Sequence, residues 1–393
     1  MLVPKLRFKR EDGTDYPEWK KKTISELFEI SAGGDIDKAN STKEYSKDYP
    51  YAVYANTLTN KGLYGYANYY KVERDCFTVT GRGDVGYAVA RHEKFVPIVR
   101  LLVCIPKHNE NVDFFAEIVN YTNILIESTG VPQLTSIQLG KIKVNYPTDI
   151  EEQQKIADFL STVDEVIAQS EAEVQNLEQQ KKAAMQKIFS QEVRFKREDG
   201  TDYPVWEKRK FVDIYDEASE GATPSTSIKE YYENGTIPFV KIEDTVNKYI
   251  YNVKSFITQE GLDNCSAWLI PENSVIFTNG ATIGNVSINK IPVATKQGIL
   301  GIVPKQFLLY EYLYYWLSTS IFINEVHKRE TKGTFATIIL KSLNEIAVYI
   351  PCLEEQQKIA DFLSAYDEAI SYAKQELEHW KQLKKGLLQQ MFV

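Results

Sequence analysis

The sequence predicts an α+β fold in which two similar β-rich domains are each followed by a long helix, and the two helices pair as an antiparallel coiled coil. An eleven-residue phrase, EEQQKIADFLS, begins at Glu151 and returns unchanged at Glu354, 203 residues later. A long amphipathic pattern follows each copy. A second phrase, RFKREDGTDYP, begins at Arg7 and returns unchanged at Arg194. The chain therefore consists of two tandem units, each with a lead-in, a globular segment and a helix.

The repeats set the predicted boundaries along the chain. They are 1–149 for domain 1 with its lead-in at 1–19, 150–192 for spacer helix 1, 193–352 for domain 2 with its lead-in at 193–206, and 353–393 for spacer helix 2. Asp-Gly and Tyr-Pro in each lead-in mark turns, so we expect both lead-ins to be short and irregular.

Each globular segment contains short β-like runs followed by a helical run. In the first, strands are predicted at 76–80 and 98–103 and a helix at 113–126. In the second, strands are predicted at 237–242 and 274–277 and a helix at 310–323. The order of the parts is the same, whereas the residues differ almost everywhere. We therefore expect the two domains to share a fold and to present different surfaces.

The long helices carry apolar residues at steps of four and three in alternation, which is the spacing of a coiled-coil seam. The residues predicted to pair the helices are Ile156, Leu160, Val163, Ile167, Leu177, Ile359, Leu363, Tyr366, Ile370, Leu377 and Trp380. Lysine interrupts both seams at the same place, as Lys181 and Lys384. The alternative is that each helix packs only on its own domain.

The length of the helices favours pairing over that alternative. A helix from Ile150 to Ser190 would span about 58 Å at about 1.5 Å per residue, which is too long for the core of a small domain. Thr148 and Glu151 have the spacing of a capping box, so the first helix is predicted to begin there.

Composition narrows the class of protein. The four cysteines are scattered without a CxxC pair, which argues against a zinc site or a disulfide framework and predicts a cytoplasmic protein. No apolar run approaches the roughly 20 residues that cross a bilayer, so no membrane contact is expected.

The net charge of −8 lies mostly on the helical segments, which leaves the globular segments with nearly equal numbers of acidic and basic residues. DNA binding is not excluded, although strong nonspecific binding is not expected.

The phrase GRGDVG at 81–86 fits the GxGxxG pattern of a dinucleotide-binding loop. Such a loop must open a helix, but a β-like run follows Gly86, so a turn between two strands is predicted instead. The sequence has no phosphate-binding loop, nucleophile elbow or HExxH motif, and its four histidines lie far apart. The chain is therefore predicted to be non-catalytic.

Polar loops remain the candidates for contact with a ligand, because basic, hydroxyl and amide side chains bind phosphates and base edges. The candidate DNA-contacting residues are Thr80, Arg82, Asp84, Gln133, Thr223, Ser225, Lys241, Asn279, Thr282, Lys296, Gln297, Lys332 and Thr334. For any single one of them, an ordinary solvated loop is at least as good an interpretation.

Over its whole length the sequence resembles the specificity subunits of type I restriction–modification enzymes. The resemblance rests on the doubled EEQQKIADFLS phrase, on GATPS at 221–225 with IPF at 237–239, on GATIG at 280–284 and on VTGRG at 79–83. It implies two target-recognition domains, each for one half of a bipartite sequence in double-stranded DNA. It also implies that two methyltransferase subunits dock around the helices and that two restriction–translocation subunits join them. No cofactor is expected in this chain, since S-adenosylmethionine, ATP and Mg would be bound by those partners.

Because the two domains differ, we expect the two half-sites to differ and the target to be asymmetric. A pseudo-twofold arrangement of the units would suit two half-sites and two identical partners. The alternative is a non-catalytic, two-headed adaptor whose domains bind protein or carbohydrate and whose coiled coil is a scaffold.

Overall fold

The structure, a computed structural model, describes residues 4–122, 133–280, 282–331 and 336–392. The chain divides into two compact units, one with residues 1–171 and 375–393 and the other with residues 172–374. Each long helix therefore contributes one part to each unit.

Domain 1 is built of short strands and a few short helices. Its strands are β1 (Lys20–Thr23), β2 (Phe28–Ala32), β3 (Ser41–Thr42), β4 (Tyr51–Tyr54), β5 (Leu63–Ala67), β6 (Cys76–Val79), β7 (Ala88–Arg91), β8 (Phe95–Pro97), β9 (Leu102–Pro106) and β10 (Lys143–Tyr146). Its helices are α1 (Ile24–Leu27), α2 (Val112–Tyr121) and α3 (Ser136–Gly140). Among the described residues the main sheet has the order β2-β9-β6-β7, a second sheet has the order β3-β5-β4-β8, and β1 pairs with β10.

The long helix α4 (Ile150–Phe189) follows domain 1. It begins where the sequence predicts, but its cap is Asp149 and not Thr148. The Oδ1 atom of Asp149 accepts a hydrogen bond from the backbone N–H of Glu151 at 3.0 Å. Arg10 of the lead-in holds the other carboxylate oxygen of Asp149 at 2.8 Å. The capping side chain is thus also bonded to the lead-in.

Domain 2 repeats this arrangement. Its strands are β11 (Glu207–Lys210), β12 (Tyr215–Glu220), β13 (Ile237–Val240), β14 (Tyr249–Ile250), β15 (Phe256–Ile257), β16 (Val275–Thr278), β17 (Val286–Asn289), β18 (Ala294–Thr295), β19 (Ile299–Pro304) and β20 (Ala347–Ile350). Its helices are α5 (Gln259–Asp263), α6 (Tyr310–Leu317), α7 (Ser320–His327) and α8 (Leu340–Leu343), and α9 (Leu353–Met391) follows it. Among the described residues the sheets have the orders β12-β19-β16-β17-β14 and β15-β13-β18, and β11 pairs with β20.

The two domains share their strand order, since β12, β19, β16 and β17 are connected as β2, β9, β6 and β7 are. Each main sheet is antiparallel along these four strands. The predicted α+β fold with two similar β-rich domains and two long helices is confirmed.

Three predicted elements differ from the structure. The predicted strand at 98–103 is wrong in its first half, because Val99 and Arg100 have φ of 53° and 61° and form a turn before β9. Such left-handed values are rare for L side chains, so the residue pattern gave no sign of the turn. The predicted helix at 310–323 is two helices, since Thr319 caps a new one by accepting from the N–H of Phe322 at 3.2 Å. The predicted helix at 113–126 is α2, and 123–126 lie outside the described residues.

Each lead-in packs on the start of the helix that follows its domain. In domain 1, Arg7 donates to both carboxylate oxygens of Glu152, at 2.7 and 2.9 Å. The indole N–H of Trp19 donates to the same carboxylate at 3.1 Å. The Glu152 side chain is fully buried. The three donated hydrogen bonds therefore replace those that the carboxylate would make to water if it were exposed.

Domain 2 contains the same cluster. Arg194 donates to Glu355 at 3.2 and 2.7 Å, and the indole N–H of Trp206 donates to it at 2.9 Å. The Glu355 side chain is also fully buried. Each pair of phrases therefore forms one joint between a lead-in and a helix.

A buried glutamine ties each helix to its own domain. The side-chain amide N–H of Gln153 donates to the carbonyl of Pro147 at 2.8 Å, and its Oε1 accepts from the N–H of Asn111 at 2.8 Å. Gln356 makes the equivalent bonds in domain 2, to Pro351 at 2.9 Å and from Leu309 at 2.8 Å. The long helices thus start as fixed parts of the domains that precede them.

Every residue predicted to pair the helices is buried or half-buried. Ile156 and Leu160 lie in the core of domain 1 together with Met391 at the end of α9. Ile359 and Leu363 lie in the core of domain 2. The first turns of each seam therefore pack in a domain core as well.

Helices α4 and α9 pair in an antiparallel sense. In the first unit, Lys384 contacts Asp164 at 2.7 Å and Lys381 contacts Glu171 at 2.7 Å. As the residue number rises along α4, the partner's number falls along α9. The lysine at the seam position is thus paired with an aspartate of the other helix.

The second unit shows the same direction of pairing. Lys374 contacts Glu178 at 2.7 Å, and Lys181 is hydrogen-bonded to Asp367. Both seam lysines, which interrupt the apolar pattern, therefore form ion pairs at equivalent places.

Candidate nucleic-acid interface

The candidate residues of domain 1 lie on loops at one end of the strands of its main sheet, which we call the loop edge. β2 ends at Ala32 and β6 ends at Val79, while β9, which lies antiparallel between them, begins at Leu102. The segments after β2 and β6 and before β9 therefore leave the sheet together.

The β6–β7 connection is the GRGDVG phrase, and it is a turn between antiparallel strands, as predicted. Thr80 is buried, and its Oγ1 accepts from the N–H of Tyr87 at 2.9 Å and donates to the carbonyl of Asp84. Gly83 and Gly86 have φ of 67° and 94°, which glycine adopts without steric cost. Arg82 and Asp84 are exposed at the tip, whereas the Thr80 side chain holds the turn together.

Asn56 joins three loops of this edge. Its side-chain N–H donates to the carbonyl of Val99, and its Oδ1 accepts from the N–H of Gly81 at 2.7 Å. A Cβ on Gly81 would lie 2.9 Å from the carbonyl oxygen of Leu134 and 3.1 Å from that of Arg100. The backbones at this point approach so closely that only glycine fits.

The joined loops bring predicted and unpredicted side chains together. Arg82 forms a backbone bridge with Gln133, and exposed Arg100 follows Val99 on the adjoining loop. Asn56 and Arg100 are not among the residues predicted from the sequence. Asn56 follows a β-like run without a turn motif, and Arg100 lies inside an apolar run, so neither had a sequence signal.

Domain 2 has the equivalent turn between β16 and β17. The Thr278 N–H donates to the carbonyl of Asn285 at 2.9 Å, and Thr278 Oγ1 accepts from the N–H of Asn285 at 2.8 Å. Gly284 has a φ of 107°. Thr282 is exposed at the tip, at the place that Asp84 occupies in domain 1.

Asn279 is buried at the base of this turn, with 3% of its surface exposed. Its side-chain N–H donates to the carbonyl of Ile338 at 3.0 Å, and its backbone N–H donates to that of Gly298 at 3.0 Å. Its Oδ1 atom has no hydrogen-bond partner among the described residues. Lys296 and Gln297, which precede Gly298, are exposed beside it.

The remaining candidates of domain 2 surround this loop. A Cβ on Gly221 would lie 2.0 Å from the carbonyl oxygen of Thr295, so the segment with exposed Thr223 and Ser225 starts against the strand that leads to Lys296. The half-buried Lys241 follows β13, which pairs with β18. Lys332 and Thr334 lie outside the described residues.

Away from these loops, each domain places a polar side chain against a Lys–Asp pair of the helices. In domain 1, Glu117 of α2 lies 3.1 Å from Lys384. Burial raises the pKa of Glu117 above its ordinary value, against the opposing effect of the Lys384 charge. In domain 2, the hydroxyl of Tyr315 donates to Asp367 at 2.5 Å and Lys248 lies 3.2 Å from the same carboxylate.

The pKa of Asp367 moves the other way. Burial alone would raise it, but hydrogen bonds from Lys181 and Tyr315 outweigh burial and hold the pKa of Asp367 below its ordinary value. The Lys384–Asp164 pair of the first unit thus has an acid, Glu117, beside it. The Lys181–Asp367 pair of the second unit has a tyrosine and a lysine beside it.

Within the part of the chain that the structure describes, no group of His, Cys, Asp and Glu is arranged to hold a metal ion. No helix of that part is long and apolar enough to cross a membrane.

Residues 16–179 and 204–381 each match the family described as the type I restriction modification DNA specificity domain. The chain belongs to this family. The two matches together cover most of the chain and include both domains and most of both helices. DNA target recognition within a type I restriction–modification system is the role of this specificity family.

Curated relatives carry the same description. The chain is 35% identical over 209 residues to the specificity subunit of the MjaIX type I restriction enzyme of Methanocaldococcus jannaschii, a match that covers 52% of this chain and 48% of the relative. A type I specificity subunit of Escherichia coli is 28% identical over 151 residues, or 37% of either chain. The chain thus spans half or less of these two relatives. A putative type I specificity subunit of Mycoplasma pneumoniae is 27% identical over 342 residues, or 86% of either chain.

Solved structures show the same fold. The S subunit of a type I restriction–modification system from M. genitalium matches 100% of this chain and 99% of its own, with a TM-score of 0.63 and 17% identity. A second chain, from a type I restriction–modification system, matches 95% of this specificity-family protein and 97% of its own, with a TM-score of 0.58 and 17% identity.

Proposed function

We propose that this specificity-family chain binds an asymmetric, bipartite sequence in double-stranded DNA, with one domain for each half-site. The observation that carries the proposal is that domains with the same strand order present unlike side chains on equivalent turns. Arg82 and Asp84 occupy the first turn, whereas Thr282 occupies the tip of the second. Two half-sites contacted by such different side chains would differ in sequence.

The chemistry of the exposed and half-buried residues of these loops suits this role. The guanidinium groups of Arg82 and Arg100 match guanine edges or phosphates, and Gln133 and Gln297 match adenine edges. Lys296 suits a phosphate contact, because a lysine is a point charge without a fixed plane. Thr80 and Asn279 act in this proposal by fixing the turns, since both are buried.

We further infer that two methyltransferase subunits dock around the helices and that two restriction subunits join them. The support is that residues 11–15 and 198–202 have the same sequence and are exposed in both lead-ins. Two equal surfaces suit two copies of one partner. S-adenosylmethionine, ATP and Mg would then be bound by those partners, and the purified chain alone would neither methylate nor cut DNA.

Arg82→Ala tests the site. Co-expressed with its methyltransferase partner, this variant should methylate the half-site of domain 1 with relaxed preference, because a bidentate arginine contact to a base contributes about 1–3 kcal/mol of discrimination. Arg74→Ala is the matched control, since Arg74 is also exposed but donates to the carbonyl of Pro106, where β9 ends at the opposite edge of the sheet.

Sequencing of modified bases measures both variants. The control should retain the wild-type pattern, and the half-site of domain 2 should be unchanged in both. Equal effects of the two substitutions, or none from Arg82→Ala, would contradict the placement of the site at this edge.

A further inference from the structure

Helices α4 and α9 differ in the sign of charge at two positions. When the helices are compared at the repeat offset of 203 residues, most charged residues agree in sign. The sign reverses at Glu171, which corresponds to Lys374, and at Glu178, which corresponds to Lys381. Both α4 positions are acidic and both α9 positions are basic.

These four residues form the ion pairs that flank the seam. Lys381 contacts Glu171 at 2.7 Å in the first unit, and Lys374 contacts Glu178 at 2.7 Å in the second. The side chains are between 44% and 56% exposed. Glu171 therefore contacts Lys381, the residue of α9 that corresponds through the repeat to Glu178, seven residues after Glu171 on α4. In the same way, Glu178 contacts Lys374, which corresponds to Glu171.

The two Lys–Asp pairs of the seam do not have this asymmetry. Lys181 corresponds to Lys384 and Asp164 to Asp367, so both helices carry the same charges at these places. If two copies of α4 from different chains paired in the same geometry, Lys181 of one would still meet Asp164 of the other. The Lys–Asp pairs hold the register but do not distinguish one helix from the other.

The reversed positions do distinguish them. Two copies of α4 in the same geometry would place Glu171 against Glu178, and two copies of α9 would place Lys374 against Lys381. Like charges at facing flank positions of a coiled coil are unfavourable and select against such partners. We propose that these four residues form a charge code through which α4 accepts α9 and rejects a second α4. The helix that fits α4 has lysine at both corresponding positions, as α9 of the same chain does.

This code acts on assembly and does not depend on what the domains bind. The duplicated helix starts would otherwise allow like helices of two chains to exchange partners. An exposed ion pair changes an equilibrium by about 1.4- to 5-fold, and reversal from attraction to repulsion has a larger effect. Two such contacts in each chain should therefore shift the balance between the two ways of pairing by about tenfold or more.

The test uses three variants of the full chain that all keep its net charge. Glu178→Lys with Lys381→Glu inverts the code: α4–α9 contacts become Lys–Lys and Glu–Glu, and like-helix contacts become attractive. Glu178→Lys with Lys374→Glu makes both ways of pairing attractive. Reversal of all four residues restores the wild-type selection with opposite signs.

Sedimentation equilibrium at low salt measures self-association. We expect the inverted variant to associate about tenfold or more tightly than wild type, the second variant to associate to an intermediate degree, and the fourfold variant to behave as wild type. About 1 M salt should reduce the differences, because it shortens the Debye length to about 3 Å.

Equal self-association of the inverted and fourfold variants would overturn the proposal. If the inverted variant does not fold, the second variant decides, because all its α4–α9 contacts remain attractive. Self-association of that variant above the wild-type level supports the code, and a wild-type level overturns it.

Discussion

At the scale of single residues, a buried carboxylate at each helix start links the two repeated phrases of its unit. Glu152 needs Arg7 and Trp19, and Glu355 needs Arg194 and Trp206. A change on either side would leave a buried charge without its donors. The sequence revealed the repetition of both phrases but not that the phrases contact each other, because the partners are more than a hundred residues apart.

Glu355→Ala should lower the free energy of unfolding by about 3 kcal/mol, because Arg194 and Trp206 lose the acceptor for their donors. Urea unfolding of the full chain measures this. Glu354→Ala is the control, since Glu354 is the preceding residue and is exposed. A similar loss from both substitutions would mean that the buried joint has no special role.

Glu117 should make domain 1 sensitive to pH. Because burial raises its pKa in the folded chain above the ordinary 4.5, folding favours the protonated form. Stability from this group is thus fully present below about pH 4.5 and is lost as the pH rises through the folded-state pKa. Glu117→Gln, which resembles the protonated form, should raise the urea midpoint at pH 8 and have little effect at pH 4.

A matched measurement on Asp367 should give the opposite sign. Its pKa is lowered by Lys181 and Tyr315, so its contribution is present above the ordinary 3.8 and is lost as the pH falls through the folded-state value. Asp367→Asn should therefore destabilise the chain at pH 8. If both variants shift the midpoint in the same direction at pH 8, the assignment of the two environments is wrong.

At the scale of elements, the sequence predicted the long helices best because their repeat is local and regular. The turn at Val99 and Arg100 could not be predicted, since its left-handed conformation depends on contacts with Gly33 and Gly34 from a distant loop. The role of Asn56 could not be predicted for the same reason, because its partners come from the β6–β7 and β8–β9 loops. Sites formed by convergent loops depend on contacts that no local pattern encodes.

Two substitutions distinguish the two roles of the seam residues, which are packing in a domain core and pairing the helices. Leu160→Asp should unfold domain 1, because Leu160 lies in its core and a buried carboxylate costs several kcal/mol. Val174→Asp should weaken the pairing of α4 with α9 while leaving the domain core intact, because Val174 is buried on the seam stripe in the middle of α4. Ala172→Asp, on the exposed side of the same helix, is the control.

Near-ultraviolet circular dichroism and urea unfolding measure these effects. Loss of aromatic signal by Leu160→Asp together with its retention by Val174→Asp would support the division of tasks. Equal behaviour of Val174→Asp and Ala172→Asp would contradict the presence of Val174 in a seam.

At the scale of the whole molecule, we propose that one chain carries two independent DNA-binding domains. Each domain has its own main sheet, its own loop edge and its own joint to the helix that follows it. The joints are identical in both units, whereas the loop edges differ. A domain inserted between the same joints should therefore fold and bind DNA without altering the other domain.

The exchange of residues 207–350 for the equivalent segment of another specificity subunit tests whether the two domains are independent. The chimera and the wild-type chain are each co-expressed with the same methyltransferase partner, and the modified bases of the host genome are mapped by sequencing. We expect both proteins to direct methylation to a bipartite sequence in which one half is shared and the other half has changed. A chimera that changes both halves, or that folds and keeps both, would contradict the claim that each domain recognises its own half-site.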